Sequence, residues 1–156
     1  ESNGSVDGRF VPMVCGDTKG SDYCGPLYTV DVTFVDSLNY NGKLYADGLE
    51  ADFVQGEFGA WLDRQGKWNA MVPSDVNCCE DLTGTGTIPN STIATAVLCQ
   101  RGNCDFATKA ENVEATGAEM LIVSSGNHSI SRMGCDPPSR GRKVKNVSKT
   151  HAIITE

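Results

Sequence analysis

Apolar residues fall along this chain in short bursts, and the period of each burst indicates the element it builds. Leu27–Val35 (LYTVDVTFV) is rich in β-branched and aromatic side chains and predicts a strand. Lys43–Val54 supplies further strand-like sequence, and Arg9–Val14 reads as a short first strand. Gly56–Leu62 (GEFGAWL) and Trp68–Pro73 are apolar stretches separated by a polar turn. Ile93–Cys99 (IATAVLC) and Ala118–Val123 (AEMLIV) are apolar at neighbouring positions, the pattern of strands covered on both faces. His151–Thr155 (HAIIT) has the content of a last strand.

Between the two covered strands the period becomes helical. Asp105 is placed to cap an N-terminus, Phe106, Ala110 and Val113 share one helical face, and Gly117 suits the left-handed position past a C-terminus. Residues 93–123 therefore predict a β-α-β unit, which normally crosses right-handedly. A second short helix is expected over Asn127–Met133, stopped by Pro137-Pro138.

Turn residues divide these elements. Asp36–Gly42 (DSLNYNG) ends in Asn-Gly, which predicts a hairpin turn there. Its acids do not follow the offsets of an EF-hand loop, so the turn reading is preferred over calcium. Leu82–Thr92 (LTGTGTIPNST) reads as a glycosylatable surface loop. The chain divides into a tail with a cysteine loop at 1–25 and one domain at 26–156, the latter with a basic loop at 138–150. A length of 156 residues fits one domain with tails.

No stretch approaches the roughly 20 apolar residues of a membrane helix, so no direct membrane insertion is expected and the piece should be soluble. Glu1 stands where a methionine would open a chain, and the sequence reads as a processed product or a piece of something longer. Net charge is -7, which disfavours nucleic acid as a partner. Between Arg132 and His151, however, six cations face the single acid Asp136, a local +5 against -12 elsewhere. Arg140, Arg142, Lys143, Lys145 and Lys149 are thus either a solvated segment or candidate assembly contacts with an acidic surface.

Seven cysteines and four sequons, at Asn3, Asn90, Asn127 and Asn146, predict passage through an oxidising secretory route, with N-linked glycans and no other cofactor. Cys15, Cys24, Cys78, Cys79, Cys99, Cys104 and Cys135 are the disulfide candidates, and their odd number leaves one free or bonded to another chain. Adjacent Cys78 and Cys79 are expected to take two separate partners. Cys104 and Cys135, flanking the β-α-β unit, are one candidate pair, with connectivity otherwise open.

Val97–Val123 closely resembles the signature of protease-associated (PA) domains: a strand, R-G-x-C-x-F, a Lys three residues on, a short helix, then Gly-Ala opening an apolar strand. Here these are Arg101, Gly102, Cys104, Phe106, Lys109, Gly117 and Ala118. Within that family the chain is most similar to lumenal domains of plant-type signal peptide peptidase-like proteins, through Cys78-Cys79, GEFGAWL around Gly59, and Met133-Gly134-Cys135. The resemblance covers roughly residues 26–156. It implies an α+β fold, a β-barrel or open β-sandwich flanked by short helices, that is accessory and not catalytic.

The residues agree with that implication. His128 and His151 are the only histidines, and neither lies in a nucleophile motif; Ser124-Ser125-Gly126 before His128 is the nearest approach. Cys99-x4-Cys104 is the best spacing for zinc, but those thiols are expected to be oxidised. Arg101 is expected to hold turn carbonyls or an acid, and the Lys109 stem to cover the Phe106 side of the helix. The expectation is a non-enzymatic protein-interaction module of an extracellular or lumenal glycoprotein, with protein as partner, further copies of itself included. The alternatives are a structural filament subunit joined through its terminal segments and a regulatory domain beside a protease.

Overall fold

The computed structural model describes residues 13–15, 24–82, 95–126, 130, 133 and 149–155. Eight strands and one helix follow in chain order: β1 (Met13–Cys15), β2 (Cys24–Phe34), β3 (Asn41–Ala46), β4 (Leu49–Gln55), β5 (Gly66–Met71), β6 (Thr95–Gln100), α1 (Phe106–Ala115), β7 (Met120–Ser124) and β8 (His151–Thr155).

The strands form one sheet that closes on itself. Its order is β1-β2-β3-β4-β8-β7-β6-β5, and β5 returns to pair with β2, so seven strands make a barrel with β1 added to β2. The eleven residues of β2 make the closure possible: Leu27–Val32 pairs with β5 and Asp31–Phe34 with β3. Pairing is antiparallel from β5 through β2, β3 and β4 to β8, and parallel across β5, β6, β7 and β8. The expected choice between barrel and open sandwich is thus decided for the barrel. Of the expected flanking helices, α1 is the one found among the described residues. The segment 127–133 lies outside them except for Ile130 and Met133, neither of which stands in a helix.

Period-2 patterning sends alternate side chains to two cores. Val30, Val32, Leu44, Phe53, Trp68, Ala70, Met120, Ile122 and Ile153 fill the barrel interior, joined by Leu62 from the loop after β4. Met71, Val97, Cys99, Leu121, Val123, Ala152 and Ile154 point outward from β5 to β8 and are covered by Ala110 and Val113 of α1. Strands β6 to β8 are therefore buried on both faces, which is why they read as uninterrupted apolar runs.

The turns correct one sequence expectation. The β2–β3 turn precedes Asn41-Gly42: Asp36 Oδ1 accepts from the N–H groups of Leu38 and Tyr40, both at 3.1 Å, and Asn39 takes φ +63. Gly42 lies within β3, where a Cβ would collide with the Thr33 carbonyl and the Phe53 ring. The hairpin inside Lys43–Val54 turns on Asp47-Gly48, both at positive φ. The last strand stands where its apolar content predicts it. Strand β8 pairs with β4 on one edge and β7 on the other, so His151–Thr155 has no open edge with which to complete a neighbour's sheet.

Candidate functional site

The motif Arg101–Lys109 closes against a second loop, residues 72–82, on the outer face of the barrel. Asp75 shapes that loop, its carboxylate accepting from the N–H groups of Asn77, Cys79 and Glu80 at 3.3, 3.0 and 2.9 Å. Cys78 adopts φ +58, and the two adjacent thiols reach different partners. Cys78 bonds Cys99 on β6, and Cys79 bonds Cys104 just ahead of α1. The candidate pair Cys104–Cys135 is thereby corrected, because Cys79 holds Cys104; Cys135 itself lies outside the described residues. Cys78 and Cys99 are both 0 % exposed, whereas Cys79 and Cys104 are half-buried.

Helix α1 completes this knot from the other side. Asp105 accepts from Thr108 N–H at 2.8 Å as its N-cap, and Gly117, at φ +88, follows the C-cap residue Thr116. Lys109 departs from expectation: instead of lying over the helix face it is 0 % exposed. Its Nζ donates to the carbonyls of Asn77 and Gly102, both at 2.7 Å, and stands 3.9 Å from Cys79 Sγ. Burial pulls the amine below its ordinary pKa, against the opposing fields of Asp75 and Asp105. Asn112 Nδ2 donates to the Cys78 carbonyl at 2.9 Å. These two side chains satisfy loop carbonyls that face no strand. Arg101 places its guanidinium 5.7 Å from the Phe106 ring centre, an aromatic contact where turn carbonyls or an acid were expected.

One end of the barrel is built differently. Gln55, buried at the end of β4, donates from Nε2 to the carbonyls of Asn39 and Leu62 at 2.6 and 2.7 Å and accepts from Leu62 N–H at 3.0 Å. It thus ties the 35–40 turn to the 56–65 loop. Ala60 is gripped at the same time, its N–H on the Thr150 carbonyl (2.9 Å) and its carbonyl on His151 Nδ1 (2.9 Å). Trp61, between these two held residues, projects outward at 42 % exposure and packs edge-on against Tyr40, with ring centres 5.3 Å apart. Val35 and Leu38, on the same turn as Tyr40, are 65 % and 67 % exposed. Sequence reasoning did not single out Gln55, Tyr40 or Trp61; the Gln at the end of a strand, followed by Gly56, was the available signal.

The remaining candidates do not assemble into chemistry. The His151 ring faces the Ala60 carbonyl, so Nδ1 carries the proton and clamps a loop. Among the described residues no group of three His, Cys, Asp or Glu side chains is placed to hold a metal ion. A cavity of about 440 Å³ opens beside the Asp47-Gly48 hairpin, lined mainly by apolar side chains including Val30, Leu44, Leu98 and Ile122. Asn3, Asn90, Asn127, Asn146, His128, Arg140, Arg142, Lys143 and Lys145 lie outside the described residues. Lys149 lies inside them, and Glu114 Oε1 of α1 accepts from the N–H groups of Lys149 and Thr150, each at 2.9 Å. No helix among the described residues is long and apolar enough to cross a membrane.

Comparison with known proteins places this architecture. The family model for the PA domain matches residues 41–153. Signal peptide peptidase-like 3 of Arabidopsis thaliana is 33 % identical over 125 residues, covering 76 % of this chain and 21 % of that protein. Signal peptide peptidase-like 4 of Oryza sativa subsp. japonica is 33 % identical over 66 residues, covering 42 % of this chain and 11 % of that protein. The chain thus spans about a fifth of the length of the Arabidopsis relative, or less of the rice one. A closed barrel, a β-α-β unit carrying the Arg101–Ala118 motif and a family match from β3 into β8 agree: the chain belongs to the protease-associated (PA) domain family.

Proposed function

We propose that this domain is a non-catalytic protein-docking module of a lumenal or extracellular glycoprotein, accessory to a larger polypeptide. The observation that carries the reading is the exposed Trp61–Tyr40 pair, displayed on two loops that buried groups hold still. Leaving a large aromatic half in water forgoes stabilisation on the order of 1 kcal/mol or more. A fixed aromatic ring, with its order already imposed, is a good anchor for a protein partner because little further entropy is lost on binding. Val35 and Leu38 extend the apolar area around it.

Three features support the compartment and the accessory role. Two disulfides lie among the described residues, as expected of an oxidising environment. Four sequons accompany them in the sequence. The matched relatives are several times longer than this domain and carry peptidase-like names.

Site-specific photo-crosslinking tests the reading. A benzophenone amino acid replaces Trp61 in the glycosylated parent protein, with Glu50, an exposed residue beside the Asp47-Gly48 hairpin at the opposite end of the barrel, as the control. Protein adducts, to a partner or to the remainder of the parent chain, are expected at 61 and not at 50. Equal labelling at both positions, or none at 61, overturns the docking role.

A further inference from the structure

The two neighbouring disulfides differ in burial and in the presence of a cation, which stands beside Cys79 alone. The geometry points to Cys79–Cys104 as a thiol-exchange site, opened by a monothiol that attacks Cys104 while Lys109 receives Cys79 as the leaving thiolate. An ammonium has three N–H donors. Two of those on Lys109 are taken by the carbonyls of Asn77 and Gly102 at 2.7 Å, which orients the group, and Cys79 Sγ lies 3.9 Å away on the same nitrogen. A disulfide sulfur is a poor acceptor, but a thiolate is a strong one. The contact therefore strengthens as the S–S bond breaks, and a leaving thiol with a lowered pKa departs faster.

The charges around the sulfur act in both directions. Asp75 and Asp105 oppose a thiolate, but each is partly spent on backbone donors: Asp75 on Asn77, Cys79 and Glu80, and Asp105 on Thr108. Among the described residues no carboxylate pairs with Lys109, whose contacts are the two carbonyls and Cys79 Sγ.

The exchange balances in two steps. A thiolate forms a bond to Cys104 Sγ as the Cys79–Cys104 bond breaks, leaving a mixed disulfide on Cys104 and the electron pair on Cys79. A second thiolate then releases Cys104, so two monothiols are oxidised to their disulfide and two cysteines are reduced. The buried Cys78–Cys99 bond is out of reach and keeps the 72–82 loop on β6, so opening removes the covalent tie between that loop and the start of α1, leaving the Lys109 and Asn112 hydrogen bonds and the barrel in place.

The test uses the full glycosylated chain with its free thiols first blocked by N-ethylmaleimide, then exposed to graded reduced glutathione and quenched with an isotopically distinct maleimide. Peptide mapping should show Cys79 and Cys104 labelled at least roughly tenfold faster than Cys78 and Cys99, with the glutathione adduct on Cys104. Lys109→Met should slow the opening by roughly three- to tenfold, with Lys109→Arg retaining most of the rate. General loosening by the Met variant would accelerate reduction and so has the opposite sign. Simultaneous opening of both bonds, an adduct on Cys79, or an unchanged or faster rate in a folded Lys109→Met protein overturns the proposal. If that variant does not fold, the order of opening and the adduct position in the native chain decide it.

Discussion

The barrel interior and the layer between barrel and helix are both buried, yet they are held by different means. Inside, Trp68 and Phe53 fill the space with large side chains, and the polar requirements are few: Trp68 Nε1 reaches Glu119 at 3.4 Å while Arg64 covers the ring at 4.7 Å. Outside, the side chains are smaller, among them Ala110, Val113, Ala118 and Ala152, and the layer carries two disulfides, the buried Lys109 amine and the Asn112 amide. The difference follows from what each region must join. The interior joins strands whose backbones already satisfy each other, so volume suffices. The outer layer joins a strand, a helix and an irregular loop, whose unpaired carbonyls need donors and whose ends need fixing.

If that contrast is right, each region should fail through its own kind of loss. The largest effect is expected inside: Trp68→Ala should cost about 3–5 kcal/mol, seen as a lower midpoint in denaturant unfolding followed by far-ultraviolet circular dichroism. Outside, Cys78→Ala with Cys99→Ala should cost about 2–4 kcal/mol, because the bond closes a loop with a sequence separation of 21 and its replacement leaves little cavity. A loss for the cysteine pair larger than that for Trp68→Ala would reverse the comparison.

The smallest effect sharpens it through pH. Burial holds the Lys109 pKa below its ordinary 10.5 in the folded protein, so over the window between the two values the unfolded chain binds the extra proton. Stability relative to Lys109→Met should therefore rise with pH as it approaches 10.5, by less than about 1.4 kcal/mol per unit, and stay flat below the folded value. Parallel unfolding curves of the two proteins across that range would measure it, and a gap that falls with rising pH would refute the burial account.

The two regions were legible in different respects. Strands β6, β7 and β8 and helix α1 were readable because burial on both faces leaves continuous apolar runs, and because Asp105 and Gly117 mark the helix ends. Asp47-Gly48 is as local a turn signal as Asn41-Gly42, whose glycine instead serves close packing on Phe53. Closure of the barrel through β2 and β5 was hidden, since it depends on a pairing between segments about 40 positions apart whose register no local pattern records. Lys109 was misplaced for a related reason. Its amine is satisfied by two backbone carbonyls, one 7 and one 32 positions away, and carbonyl acceptors leave no trace in the identity of the residues that bear them. For the same reason the vicinal cysteines could be predicted to take two partners, but not which.

The position of β8 sets an order of events during synthesis. The gap between β4 and β7 is filled by residues 151–155, so a ribosome must release nearly the whole domain before the barrel can close. Until then β4 and β7 present open edges, and the interior side of Phe53 and Met120 stays wet. Oxidation of the thiols would then act on an incomplete sheet, and chains arrested before His151 should remain protease-sensitive however much of the rest has been made.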